Sequence, residues 1–315
     1  MDATTTRSSR KLAAVAVATL ALLAAACSSG DDGKATTTTK AAEPALPTTK
    51  IATQATDSAV AALVPAAIKS AGPLTIATDA SYPPDELVAP NGDLVGMDID
   101  LGNALLQVMG LKGTFKNATF DTIIPGIESG KFAIGLSSFT DTAAREKQVD
   151  FVNYFQAGEG FYVKSGATKS FDGLASLCGA KVAVESGTIE ETDAKTQSTA
   201  CTKAGKDKVT VLTFSDQSQT NLAVSSGRAD VGFGDSQVVG WIVATSKGQF
   251  KLSGKPFAVA PYGIALPKGN GMTAPVKAAL EKLIANGTYA KILAKWGVSD
   301  GAISTVTLNG AGSAS

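Results

Sequence analysis

An alternation of short apolar, β-rich runs with longer amphipathic runs, sustained from residue 74 to residue 296, constrains the fold of this chain more than any single motif does. Residues 74–78, 132–136, 181–184, 209–214 and 229–233 read as strands. Residues 99–109, 122–129, 142–148, the run from Thr188 onward, 216–226 and 235–245 read as helices. The order predicts an α/β fold built in two blocks, separated by a less regular stretch after residue 148. Pro275 in the first turn of a helix to Asn286, Gly287 at a left-handed cap and a last short helix over 292–296 close the pattern. No internal repeat interrupts it.

Ahead of this region, Arg7, Arg10 and Lys11 precede an apolar stretch over 12–26 that is too short to span a bilayer as a mature helix. Residues 1–26 therefore read as an export signal. The run Leu23-Ala24-Ala25-Ala26-Cys27 resembles a bacterial lipobox, in which the cysteine becomes the lipidated N-terminus, although the leucine sits one place further from the cysteine than usual. Lipidation predicts a lipoprotein on the outer face of the cytoplasmic membrane. Ordinary signal-peptidase cleavage near Ala26, with Cys27 incidental, is the other outcome. Residues 27–72 are rich in Thr, Ala, Lys, Gly and Pro and bury too little to offset chain entropy, so a flexible tether is expected, with a helical turn or two near 60–69.

Composition narrows the function. The 28 basic residues equal the 28 acidic ones, which leaves no net field to hold nucleic acid. Histidine is absent, so the usual triad base and the usual zinc ligand are missing. Besides Cys27 only Cys178 and Cys201 remain, and an even pair in an exported chain predicts a structural disulfide.

In open α/β sheets ligands bind beyond the carboxyl ends of strands. Following the expected strands stand Asp79-Ala80-Ser81-Tyr82, Ser137-Ser138-Phe139-Thr140, Glu185-Ser186-Gly187-Thr188 and Gly234-Asp235, with Arg145 in the helix after the second loop. An arginine beside helix N-termini suits a carboxylate, and an isolated aspartate suits an ammonium group, so the set suits an α-amino acid. Each residue also has a structural role open to it: Asp235 as a helix N-cap, Arg145 in a solvated ion pair, Tyr82 in the core.

Several motifs occur in a fixed order: Tyr82-Pro83-Pro84-Asp85-Glu86, Gly96-Met97-Asp98-Ile99-Asp100-Leu101, Ile124-Pro125-Gly126-Ile127-Glu128-Ser129-Gly130-Lys131, Thr142-Ala143-Ala144-Arg145-Glu146-Lys147-Gln148-Val149-Asp150-Phe151 and Val182-Ala183-Val184-Glu185-Ser186-Gly187-Thr188. Gly227-Arg228-Ala229-Asp230, Tyr262-Gly263-Ile264-Ala265 and Asn286-Gly287-Thr288-Tyr289 follow. Together they resemble the polar amino acid family of bacterial extracellular solute-binding proteins, over about residues 73–298. The resemblance implies a two-lobed type II periplasmic-binding-protein fold whose lobes, joined by two crossing strands, close on the ligand. Lobe one would comprise 73–157 and 260–300, lobe two 158–259, and 301–315 a tail. Arg145 would bind the ligand carboxylate with the Thr140 hydroxyl and backbone donors at Thr140 and Thr188, and Asp235 the α-amino group with the Ser138 carbonyl. Tyr82 and Phe120 would sandwich the ligand side chain, while Asp79 contacts its polar end. Asp85 departs from the family pattern, which usually has an aromatic or other apolar residue there. Glu185 stands where members with different ligands differ.

The implied function is capture of a polar, preferably cationic, amino acid by a monomer that delivers it to the permease and ATPase subunits of an ABC transporter, with no cofactor. Asp79 and Glu185 would otherwise face a neutral or acidic side chain as buried, unpaired charge. Two rivals remain at this level: an enzyme on the same fold, such as a cyclohexadienyl-type dehydratase, and a ligand-sensing lipoprotein. Neither a P-loop nor a dinucleotide fingerprint is present, since Gly158-Glu159-Gly160 and Gly269-Asn270-Gly271 lack the third glycine. The Asp98-Ile99-Asp100 run has no EF-hand pattern after it, and no metal is expected.

Overall fold

The computed structural model describes residues 46–311, all within one compact unit. The expected export signal over 1–26, Cys27, residues 27–45 of the expected tether and residues 312–315 of the expected tail lie outside the described residues. In chain order the strands are β1 (Leu74–Thr78), β2 (Ser81–Tyr82), β3 (Glu86–Val88), β4 (Leu94–Val95), β5 (Gly113–Asn117), β6 (Ile134–Gly135), β7 (Val149–Lys164), β8 (Lys181–Glu185), β9 (Thr210–Phe214), β10 (Val231–Asp235) and β11 (Phe250–Pro267). The helices are α1 (Ser58–Leu63), α2 (Ala66–Ser70), α3 (Met97–Met109), α4 (Phe120–Glu128), α5 (Ile189–Lys203), α6 (Gln217–Ser226), α7 (Ser236–Thr245), α8 (Thr273–Ala285) and α9 (Thr288–Trp296).

Eight strands hydrogen-bond in the order β5-β1-β6-β11-β7-β10-β8-β9, and β2-β3-β4 form a small antiparallel sheet beside them. Within each half the short strands run parallel: β1 with β5 and β6 in one lobe, β8 with β9 and β10 in the other. The two long strands cross between the lobes. β7 and β11 pair antiparallel from Phe250↔Lys164 to Pro267↔Val149, so β11 reaches β6 at Ala265 while β7 reaches β10 at Glu159 to Tyr162. Their register shifts between Ser253 and Phe257 and again between Phe257 and Ala260, and Ala258 there has a φ of 51°. Such irregularities bend a strand pair and weaken its ladder where the chain passes from lobe to lobe.

Both long strands escape the sequence reading, which sees 149–180 as less regular. Gly158, Glu159 and Gly160 break the alternation in β7, and Gly254, Lys255 and Pro256 do so in β11. Neighbouring strands, not intrinsic preference, hold these segments extended. The helix expected over 142–148 is a single 3-10 turn, Arg145–Lys147, because Val149 already enters β7 as a fully buried residue. The strand expected over 132–136 shortens to β6, and the last helix begins at Thr288, earlier than expected.

Each lobe has its own apolar core. In the lobe that carries both ends of the described chain, α3, α8 and α9 cover β1, β6 and β11 through Leu101, Leu105, Leu280, Ile292 and Trp296. In the other, Phe161, Leu177, Val182, Val231 and Phe233 pack together with Cys201, which is bonded to Cys178 across 5.6 Å between Cα atoms.

The chain ends correct two expectations. From Leu46 onward the expected tether lies against the first lobe: Val60 and Val64, one helical turn apart, are buried in its core, and Leu46, Ile51 and Ile68 pack on it. Asp57 caps α1 and pairs with Lys282 on α8 at 2.9 Å. The expected tail over 301–315 is, through residue 311, a strap along β7. Asn153 N–H donates to the Thr307 carbonyl at 3.0 Å, Phe151 N–H to Asn309 Oδ1 at 2.7 Å, and Val306 is buried. Apolar residues too sparse to nucleate a core of their own still complete one that exists.

Candidate functional site

Local sequence sets the ends that meet in the cleft. Gly96 has a φ of 146°, and a Cβ there would stand 2.0 Å from the Asp85 carbonyl oxygen. Only glycine permits that approach, which starts α3 with Asp98 against the Ser138 loop. In the other lobe Thr188 caps α5 by accepting from Glu191 N–H at 3.2 Å, while Glu191 Oε2 accepts from Gly187 N–H at 2.9 Å. This reciprocal cap fixes the first turn of α5 at the cleft wall.

Strand ends of both lobes line one small cavity between them. The first lobe contributes Asp79, Tyr82, Glu86, Phe120, Ser137, Ser138 and Arg145, the second Glu185, Thr188, Ile189, Glu190 and Asp235. Every residue singled out from the sequence lines it except Thr140, whose carbonyl lies behind Arg145 and accepts from its Nη1 at 2.8 Å. Tyr82 and Phe120, expected to sandwich the ligand side chain, both line the cavity. Phe120 stacks on Phe139 with ring centroids 4.5 Å apart, and the Arg145 guanidinium lies over both rings at 5.3 and 5.5 Å. Tyr82 instead points its hydroxyl across the cleft.

The lobes touch around this cavity. Tyr82 Oη donates to Asp235 Oδ2 at 2.8 Å and accepts from Asp235 N–H at 2.9 Å. Arg145 Nη2 donates to the Gly187 carbonyl at 2.9 Å, and Ser186 Oγ donates to Asp121 Oδ2 at 3.1 Å. Gln237 Nε2 donates to Asp85 Oδ2 at 2.8 Å and to Tyr262 Oη at 2.6 Å. At Gly187, with a φ of 79°, a Cβ would meet the Asp121 Cβ at 2.8 Å, so the lobes close this tightly only over glycine.

Two of the structural roles left open by the sequence are decided. Asp235 stands at the N-cap position of α7, yet its side chain makes no cap bond and turns to Tyr82. Arg145 makes no ion pair within 4 Å among the described residues. Two of its N–H groups are spent on carbonyls, and the others remain available to a bidentate acceptor.

Charge in the cleft is lopsided. Asp79, Glu86, Glu185, Glu190 and Asp235 line it against one cation. Burial raises all five carboxyls, Asp235 to about 6. The Asp79 charge, close enough to share a proton, raises Glu185 further, and the Asp235 charge does the same to Glu190. Burial also holds the Arg145 guanidinium below its ordinary value, against the pull of Glu190 and Asp235. Asp79 itself is fixed as an acceptor, taking Phe120 N–H at 2.9 Å and Ser81 N–H at 3.1 Å.

Behind the wall, the departure at Asp85 finds its explanation. The residue is buried and accepts from Ser138 Oγ at 3.0 Å as well as from Gln237, so a polar network replaces an apolar one. Ser138, with a φ of 51°, is held in that conformation by its N–H donating to Asp98 Oδ2 at 3.0 Å. Glu86 accepts from Ser137 Oγ at 2.9 Å. Sequence reasoning passed over Glu86, Ser137, Ile189 and Glu190. Glu86 and Ser137 stood inside quoted motifs. Glu190 lay two residues beyond the last loop residue considered, where the second position of a helix still faces the cleft.

The chain matches the bacterial extracellular solute-binding proteins, family 3, over residues 74–299. It is 32% identical over 251 residues to the arginine-binding protein ArgT of Corynebacterium glutamicum, covering 79% of this chain and 82% of that protein. With the L-arginine-binding protein of Pseudomonas aeruginosa it shares 33% identity over 233 residues, 71% of this chain and 87% of the relative. Among solved structures, an ancestral arginine-binding protein bound to arginine has a TM-score of 0.66 at 37% identity, covering 71% of this chain and 98% of that one. With two α/β lobes, two crossing strands and a cleft between them, this chain belongs to the bacterial extracellular solute-binding proteins, family 3, and has their type II periplasmic binding fold.

Proposed function

We propose that this protein captures a cationic amino acid outside the cytoplasmic membrane, as a monomer held by a lipid on Cys27, and delivers it to the permease of an ABC transporter. The observation that carries the ligand class is the cleft with five carboxyls around one arginine. The ligand carboxylate takes the free N–H groups of Arg145, with Thr140 and the Thr188 end of α5 beside it. Asp235 and the Ser138 carbonyl take the α-ammonium. A guanidinium or ammonium at the far end of the ligand then meets Asp79 and Glu185, whose paired burial without a cation is costly. Its methylenes lie against Tyr82 and Phe120. Names of relatives point the same way, since several are arginine-binding proteins and one binds lysine, arginine and ornithine. The clamp would bend at the irregular crossing of β7 and β11, with 73–157 and 260–300 as one jaw and 158–259 as the other.

Calorimetric titration with the common amino acids tests this reading. Arginine, lysine or ornithine is expected to bind tightest, glutamine more weakly, and glutamate and aspartate weakest. An acidic amino acid outranking arginine and glutamine would overturn it. A deletion strain should lose uptake of the same ligand, and unchanged uptake would assign the protein to sensing. Turnover of prephenate or arogenate by the purified protein would assign it to catalysis, for which a protonated Glu185 is a suitable acid.

A further inference from the structure

Glu190 stands second in α5, 1% exposed, on the wall of the cleft. Its Oε1 is buried and has no hydrogen-bond partner. The groups whose charge or dipole acts on it come from five elements, and all but Glu159 line the same cavity. Asp235 ends β10, Arg145 stands in the 3-10 turn, Glu185 ends β8, Glu159 lies on β7, and the Tyr82 hydroxyl closes the set from β2. On its own helix Asp193 is turned toward Glu159.

Resting on the reading of the cleft as an amino acid site, charge can be assigned group by group. The α-ammonium answers Asp235, a cationic side chain answers the Asp79–Glu185 pair, which holds one proton between them, and Glu86 is turned to the Ser137 hydroxyl. Two anions then remain for Arg145: the ligand carboxylate and Glu190. One guanidinium does not neutralise both in a site from which closure has expelled water. Asp235 already accepts from the Tyr82 hydroxyl, whereas Glu190 has an oxygen with no donor in reach. We propose that Glu190 is a ligand-binding residue that acts as a neutral acid, donating a hydrogen bond to the ligand carboxylate beside Arg145, so that capture takes up one proton from solvent and release returns it.

The sign of the pH effect follows. In an open, wetted cleft the burial that holds the proton is relieved, and Glu190 returns toward the ordinary glutamate range. Closed, burial holds its proton well above that. Affinity attributable to this proton is therefore full below the open-cleft value. It is lost on raising the pH, by about tenfold per pH unit, until the pKa of the closed state is passed.

Titration calorimetry with L-arginine between pH 5.5 and 8, in buffers of differing ionisation enthalpy, tests the proposal on the parent, Glu190→Gln and Glu190→Ala. At pH 7 the parent should take up about one proton more than Glu190→Gln, with a Kd that rises more steeply with pH. Glu190→Ala, lacking any donor, should bind about tenfold more weakly than Glu190→Gln at pH 6. Equal proton counts and equal slopes in parent and Glu190→Gln would overturn it, as would Glu190→Ala matching Glu190→Gln. The count that decides is the difference between parent and Glu190→Gln, because Asp235 and the Asp79–Glu185 pair release protons of their own when ligand cations reach them. If L-glutamine outranks L-arginine the cationic reading fails, yet the proton difference measured with glutamine still decides the role of Glu190. Binding of neither probe would sink both.

Discussion

The two lobes solve the same architectural problem with different means. One holds both ends of the described chain and wraps itself in them: residues 46–72 cover α3 and α8, and residues 302–311 strap β7. The other is inserted between the crossing strands, has no free ends to recruit, and carries the Cys178–Cys201 bond, which ties the last turn of α5 to the chain ahead of β8. A domain of that size buries a smaller share of its surface, so a covalent tie substitutes for missing core. Their faces at the cleft differ as sharply. The first offers the cation Arg145 and the aromatic rings beside Asp79 and Glu86; the second offers Glu185, Glu190 and Asp235 with no cation. Neither face alone holds both ends of an amino acid. Only on closure do Arg145 and Asp235 meet across one cavity, which is a physical reason for ligand and closure to favour each other.

The sharpest way to break that complementarity is to remove the cation of the first face. Arg145→Ala should weaken binding of L-arginine by about 3–5 kcal/mol, leaving a buried ligand carboxylate without its charge partner. Calorimetry should show this loss with an unchanged circular dichroism spectrum; binding within threefold of the parent would remove Arg145 from the site. A smaller effect tests the division of stabilising devices. Replacing both Cys178 and Cys201 by serine should cost about 3 kcal/mol of stability, read by urea unfolding, while affinity changes little. A loss of affinity without a loss of stability would mean that the bond shapes the cleft instead. The smallest effect concerns the contact across the lobes. Gln237→Ala removes the donor to Asp85 and Tyr262 and should raise the Kd for L-arginine by roughly fivefold, about 1 kcal/mol. Tightened binding would show that this contact holds the free protein shut.

How far the sequence could be read depended on how local each feature is. Strands β1, β8 and β9 were legible because short runs of β-branched and apolar residues favour extension locally, and α6 and α7 because Asp216 and Asp235 mark their starts. The long strands were not, since Gly158, Gly160 and Pro256 speak for turns unless a neighbour imposes extension. Val60 and Val64 were read as part of a tether because two valines bury too little on their own. A preformed core changes that balance.

By itself the sequence determined which residue types stand at the strand ends: Asp79, Tyr82, Arg145, Glu185 and Asp235 each follow from local order, and order along the chain is what sequence records. Tertiary structure alone decided that Tyr82 grips Asp235 across 153 residues, that Glu190 joins them, and that Arg145 shares the cavity with five carboxyls yet forms no ion pair among the described residues. Protonation in such a cleft depends on burial and on which charges meet, and both are properties of the closed fold, set by contacts between residues far apart in the chain.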